Sequence, residues 1–96
     1  MYLKIHKSEF SEIIAVCDSN LLGKTLKQED FELTISEDFY KGEEKTEQEV
    51  ILILKNADNA NLIGENAVSA GLSAGIISKE NIIKIEGVPH AQAYAI

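Results

Sequence analysis

Apolar and polar residues alternate over Tyr2-Leu-Lys-Ile-His6, with Leu3 and Ile5 on one side. A β-branched run, Glu12-Ile-Ile-Ala-Val-Cys17, follows the short link Lys7–Ser11. Together they predict two strands joined as a hairpin. Phe31, Leu33 and Ile35 alternate with Glu32, Thr34 and Ser36, which predicts a third, half-buried strand. Between them, Asp18-Ser-Asn20 offers capping side chains ahead of Leu21-Leu22, and Gly23 is a stop, so one helical turn or a tight turn is expected there. The stretch from Ser36 to Lys45 reads as a polar loop turned at Gly42 and pinned to the body by Phe39 and Tyr40.

Thr46-Glu-Gln-Glu49 has the residue types of a capping box, in which the first and last side chains each satisfy a free backbone N–H of the other. A helix should therefore run through Val50–Leu54, with Val50, Ile53, Leu54 and Ala57 on its inner face. Asp58-Asn-Ala-Asn61 reads as an interruption. A second helix is expected from about Leu62 or Glu65 to Ala74, ended by Gly75, with the small residues Ala67, Ala70, Gly71 and Ala74 turned inward. Ile82–Glu86 reads as a strand, Gly87-Val-Pro-His90 as a turn and Ala91–Ile96 as a last strand. The order β-β-β-α-α-β-β, with hairpins at both ends, predicts a single α+β domain over residues 1–96. Its sheet should be mainly antiparallel, with two helices on one face.

Length and composition agree with that size of fold. The chain has 96 residues, 45% of them hydrophobic and 26% charged, which suits one modest core. No apolar run approaches the ~18 residues of a spanning helix, and Met1–His6 lacks the basic and apolar regions of a signal peptide. Neither membrane insertion nor export is expected. Charge changes the picture more. The net charge of −7 belongs wholly to residues 29–49, where nine acids face two lysines; the remaining seven acids and seven lysines cancel. Acids favour helix starts, so part of this segment has a local cause, and the rest would repel nucleic acid. There is no arginine and no tryptophan, which removes the usual phosphate fork and leaves few stacking rings. Direct RNA contact is therefore disfavoured except within a larger assembly. The single cysteine, Cys17, excludes an intrachain disulfide and a cysteine-cluster zinc site, and fits a reducing cytoplasm.

Four features carry candidate chemistry. Gly23-Lys24-Thr25 has the ending of a phosphate-binding P-loop, but Asp18 stands where the pattern needs a glycine. Asn20-Leu-Leu-Gly-Lys-Thr25 and Asn61-Leu-Ile-Gly-Glu-Asn66 share one pattern. As structure, it gives two turns, each with an asparagine cap and a glycine free to take positive φ. As function, it exposes backbone N–H groups to an anion, with Lys24 helping at one turn and Glu65 opposing at the other. Gly87-Val-Pro-His90 would hold His90 on a rigid turn, either bonded to a backbone carbonyl or facing a ligand as a base. Cys17, Asp18 and His90 have the residue types of a nucleophile, orienter and base, but Cys17 ends an apolar strand, where cysteine is commonly packing. The two histidines, His6 and His90, form no metal signature with the dispersed carboxylates, and neither a metal nor another cofactor is expected.

The ordered set Ala15-Val-Cys-Asp18, Leu21-Leu-Gly-Lys-Thr25, Asn61-Leu-Ile-Gly-Glu65 with Ala67-Val68, and Gly87-Val-Pro-His-Ala91 resembles a family of small archaeal proteins classed as domain of unknown function 424. The resemblance spans nearly the whole chain. It implies a cytoplasmic, single-domain archaeal protein in the company of translation or RNA-processing machinery. It carries Cys17, Asp18, Gly23, Lys24, Thr25, Asn61, Gly64, Glu65, Pro89 and His90 as signature positions. The expectation is a non-enzymatic interaction module whose binding residues are Asp18, Gly23, Lys24, Thr25, Asn61, Gly64, Glu65, Pro89 and His90, with a protein or ribonucleoprotein partner. The alternative is a small-ligand or anion-binding protein, with or without catalysis, built on Lys24, Asn61 and His90.

Overall fold

The computed structural model describes residues 1–95. In chain order the strands and helices are β1 (Tyr2–Lys7), β2 (Glu12–Cys17), β3 (Thr25–Gln28), β4 (Phe31–Thr34), α1 (Glu37–Tyr40), β5 (Glu43–Glu44), α2 (Glu47–Lys55), β6 (Asn59–Ile63), α3 (Glu65–Ala74), β7 (Ile82–Ile85) and β8 (Val88–Ala93). Single 3-10 turns occupy Ser19–Leu21 and Lys79–Asn81. The main sheet has the order β5-β1-β2-β6-β8-β7, and β3 with β4 makes a separate ribbon. All pairings are antiparallel except β2 with β6. The expected mainly antiparallel sheet with two helices on one face is what the chain builds.

The central strands are covered on both faces, which is why they read as near-continuous apolar runs rather than alternations. On one side α2 and α3 close a core of Leu3, Ile14, Val16, Val50, Leu54, Leu62, Ala67 and Ala70. On the other side the 3-10 turn at Ser19–Leu21, the β3–β4 ribbon and α1 cover Ala15, Cys17, Ile63 and Ile85 with Leu21, Leu26, Ile35 and Tyr40. The small inner face expected of α3 is there for a reason of distance. A Cβ on Gly71 would lie 2.4 Å from Leu62 Cδ1. The capping box of α2 forms in full, Thr46 accepting from Glu49 N and Glu49 from Thr46 N.

Three expectations need correcting. Asp58–Asn61 does not interrupt two helices, and no helix begins at Leu62; Asn59–Ile63 is a central strand. Its asparagines are satisfied across the fold rather than in a turn. Asn59 donates to Glu12 O and accepts from Ala95 N, and Asn61 accepts from the Tyr40 hydroxyl. The second correction concerns Gly87–His90. The turn is only Glu86-Gly87, both at positive φ, as a two-residue hairpin between Ile85 and Val88 requires. Pro89 and His90 are therefore strand residues. Proline is tolerated inside the sheet because the carbonyl that would need its missing N–H belongs to Gly64, and that carbonyl accepts from Val68 N in the first turn of α3. Third, the loop from Ser36 to Lys45 contains α1, capped by Ser36, and β5. β3 was hidden from the pattern because three of its four side chains are exposed. In the expected last strand, Ile96 lies outside the described residues.

No helix among the described residues is long and apolar enough to cross a membrane.

Gly42 leads the chain from α1 into the edge strand β5. A Cβ there would come within 2.2 Å of Leu3 O and 2.9 Å of Lys4 Cα, both backbone atoms that cannot step aside cheaply. Gly42→Ala should lose about 2–3 kcal/mol of stability in urea denaturation, at the upper end of overpacking costs.

Candidate functional site

β2 and β6 run parallel, so the residues that follow each of them leave the sheet at the same end. β8 runs antiparallel to β6 with His90 opposite Ile63, which brings the β7–β8 turn to that end as well. Three of the segments singled out in the sequence thus meet. They line a cleft of about 180 Å³, with Asp18, Asn20 and Leu21 from the first, Gly64 and Glu65 from the second, and Gly87, Val88 and Pro89 from the third.

Asp18 is the centre of this junction and is buried, 7% exposed. Its Oδ2 accepts from Asn66 N at 3.1 Å and its Oδ1 from Ala67 N at 2.8 Å. These are free donors of α3's first turn, so Asp18 caps that helix from a different strand, its charge at the positive end of the helix dipole. The residue at the cap position itself, Gly64, has no side chain to do this. Its φ of +111° is a glycine conformation, and a Cβ would lie 2.4 Å from Asp18 Cγ. Gly64 N donates to Pro89 O at 2.9 Å and Asp18 N to Ile63 O at 3.1 Å, which ties all three segments together.

The other candidate positions fall elsewhere. Gly23 N donates to Ile35 O, and Lys24 O accepts from Ile35 N. The Thr25 and Thr34 hydroxyls meet at 3.0 Å across the β3–β4 ribbon. Gly23, Lys24 and Thr25 therefore anchor that ribbon and are not among the cleft-lining residues, and the Lys24 side chain is exposed. Asn61 and His90 belong to the α1 side of the sheet. Lys24, Asn61 and His90 are thus spread over two parts of the surface rather than gathered in the cleft.

The profile of the family described as "Protein of unknown function (DUF424)" matches residues 6–96. The chain belongs to this family. A solved structure, "Crystal structure of an uncharacterized conserved protein from Methanopyrus kandleri", is similar at 32% sequence identity and a TM-score of 0.89, covering 99% of this chain and 90% of that one. No curated protein matches the sequence.

In this DUF424 chain the groups that sequence suggested as catalytic are engaged structurally. Cys17 is fully buried, and burial, reinforced by the Asp18 charge, pushes its thiol up to about 11, away from thiolate at neutral pH. His90 is 5% exposed and two strands from Cys17, with Ile63 between them in register. Its Nδ1 donates to Leu62 O at 2.8 Å. That bond fixes the tautomer and leaves Nε2 to accept from Gln92 Nε2 at 3.2 Å. Desolvation holds the imidazole below its ordinary range, the Leu62 carbonyl opposing weakly. Tyr40, expected to pin its loop to the body, does so beside Asn61, buried at 3% exposure; Gln92 and Tyr94, near His90, carried no sequence signal beyond their types, and only the sheet register reveals them. Among the described residues, no three His, Cys, Asp or Glu side chains come together as metal ligands. Of the nine acids in residues 29–49, Glu37 and Asp38 open α1 and Glu47 and Glu49 open α2, so helix starts account for four. Hydrogen bonds from Thr46 hold the Glu49 carboxyl below its ordinary range.

Asp18→Ala should cost about 2 kcal/mol in chemical denaturation, the top of the range for a lost cap, because the N–H groups it leaves are partly buried. Gly64→Ala should cost more, since it adds strain to a clash with Asp18. His90 predicts a pH dependence. The unfolded imidazole takes up its proton near 6.5, before the folded one does. Stability present above that value should therefore fall as the pH drops from 7 towards 5. His90→Gln should show a flatter slope over that interval in paired urea titrations.

Proposed function

We propose that this DUF424 chain is a non-enzymatic interaction module. It docks a protein partner at the cleft between Asp18–Leu21, Gly64–Glu65 and Gly87–Pro89. Its setting is the translation or RNA-processing apparatus, as its family resemblance implies. The observation that carries this reading is that the three segments of the cleft are tied together by hydrogen bonds and its strongest polar groups already have partners. The Asp18 carboxylate is engaged by α3, and Gly64 N by Pro89 O. A general base needs a lone pair aimed at its substrate, and Asp18 directs its oxygens at the helix instead. What faces outward is shape: the half-buried Val88 and Pro89 beside the buried Leu21, rimmed by Asn20 and Glu65.

The same facts weigh against the anion-binding alternative. The N–H groups that would cradle an anion are occupied by Asp18, Glu65 stands at the mouth, and Lys24 lies on another loop. Direct RNA binding has the acidic flank of residues 29–49 against it.

The test is affinity capture from an archaeal lysate, with and without nuclease, using the wild type, Glu65→Lys at the cleft and Glu43→Lys on the acidic flank. A defined protein should survive nuclease with the wild type and with Glu43→Lys. Glu65→Lys should recover about tenfold less, as for a disrupted hot spot. Recovery that needs RNA, or that ignores Glu65→Lys, would overturn the proposal.

A further inference from the structure

The main sheet has an edge that its outermost strand covers only in part. β5 pairs with β1 at Glu44–Tyr2 and Glu43–Leu3, so Lys4–Lys7 has no strand beside it on that side. Two sets of bonds fix which backbone groups face the gap. Lys45 N donates to Met1 O at 2.9 Å and Met1 N to Lys45 O at 3.4 Å, so the odd residues of β1 point towards β5. On the other flank Asp18 N donates to Ile63 O, so the even residues of β2 serve β6. The odd residues of β2 are left for β1, where they are opposite Tyr2, Lys4 and His6. Both sets agree: even residues of β1 bond inward, and the N–H and C=O of Ile5 and Lys7 point out. Among the described residues, no loop backbone takes these four groups.

The two faces of this edge differ in chemistry. Leu3 belongs to the core beneath α2 and α3, so Ile5, two residues on, is on the same side. A hollow of about 340 Å³ opens there, lined by Leu3, Lys4, Ile5, Glu43, Lys45 and Ile53. Ile5 is 45% exposed in it. The even residues face α1. Lys4 Nζ donates to Asp38 O at 2.6 Å and His6 Nε2 to Phe39 O at 2.7 Å, which holds α1 over this part of β1. Glu37 and Asp38 of α1 are exposed, and Glu44, opposite Tyr2, is on the same face. The lysines nearby are engaged: Lys4 with the Asp38 carbonyl, Lys45 with Glu43 at 3.2 Å and Lys7 with Glu12 at 3.9 Å. The charge left over on the α1 face is acidic.

An unpaired edge is a template for another strand, whose main chain supplies affinity and whose alternate side chains supply selectivity. A strand laid antiparallel to β1 continues the line of β5 beyond Gly42. Its residue opposite Ile5 exchanges both backbone bonds with Ile5 and turns its side chain into the hollow, against Ile5 and Ile53. The residues on either side of it face α1 and its acids. We propose that the free edge of β1 binds, antiparallel, an extended segment of another protein in which apolar and basic residues alternate. A second copy of this chain fits badly. Each copy carries −7, all of it within residues 29–49, and pairing β1 with β1 sets two acidic flanks side by side. No residue lining the hollow lines the cleft, so the inference stands apart from the cleft and leaves it free.

The experiment is an NMR titration of the full chain with the synthetic peptide Lys-Val-Lys-Val-Lys-Val-Lys, blocked at both ends. The backbone amides of Ile5 and Lys7 should shift most and exchange their hydrogens more slowly. Two methylated versions separate strand pairing from simple charge attraction. With the valines in the hollow, the valine N–H groups bond β1 and the lysine N–H groups face solvent. Methylating the valine nitrogens should weaken binding about tenfold or more, through lost hydrogen bonds, and methylating the lysine nitrogens should leave it within about twofold. The peptide with glutamate in place of lysine should not bind. Ile5→Lys, at a half-exposed position, should weaken the lysine peptide about tenfold by closing the apolar side of the hollow with a charge. Equal or reversed effects of the two methylations, shifts that leave Ile5 and Lys7 unmoved, or no binding at millimolar peptide would overturn the proposal. So would a dimer of the free chain in which these two amides are already protected.

Discussion

The structure depends on one carboxylate. Asp18, at the end of β2, caps α3 across the neighbouring strand β6, because the residue between β6 and α3 is a glycine with nothing to offer. A local cap would need a turn to present its side chain, and the chain goes from Ile63 to Glu65 with only Gly64 between them. Borrowing the cap from β2 removes the need for a loop. It also makes the parallel pair β2–β6 and the helix that covers it a single unit, held by bonds that each involve a charge and so exceed an ordinary backbone hydrogen bond.

That economy shapes the surface. A strand that turns into a helix through one residue leaves a tight corner, and the β7–β8 hairpin closes the corner through Pro89 O. The cleft is what remains between them. The constraints that make Asp18 and Gly64 important for stability are the ones that fix the geometry of the rim, so fold and site cannot be separated at these two positions. Glu65 and Asn20 are different: both are exposed and neither side chain is engaged in the junction, so they are where a binding surface could vary without cost to the core.

The hairpins, the capping box of α2, the small inner face of α3 and the cysteine in a buried strand were legible in the sequence, because each follows from local spacing. β6 was not. Its asparagines have the residue types of a turn, and only partners 36 to 47 residues distant, Ala95 and Glu12, turn Asn59 into a strand residue. Pro89 misled for the same reason: a proline in a run of turn residues reads as a turn until the carbonyl it fails to serve is found in α3. For the candidate site, the segments around Asp18, Gly64 and Pro89 stood out as sequence and share one cleft. Gly23, Lys24 and Thr25 stood out equally and share nothing with it, because similar glycine turns arise from similar backbone needs. Gln92 and Tyr94 were silent, since an amide and a phenol gain meaning only from register.

Pro89 has a further effect, on the fidelity of assembly. Along β6 and β8 the hydrogen-bonded positions recur every second residue, and Pro89 is opposite Gly64, where the ladder gives way to the helix. A two-residue slip of β8 would keep every side chain on its own face and so escape the penalty that patterning imposes on a one-residue slip. That slip would carry Pro89 opposite Leu62, deep in the ladder, where a carbonyl would be left without its donor. The imino acid thus distinguishes the native pairing from a misalignment that hydrophobic patterning cannot see.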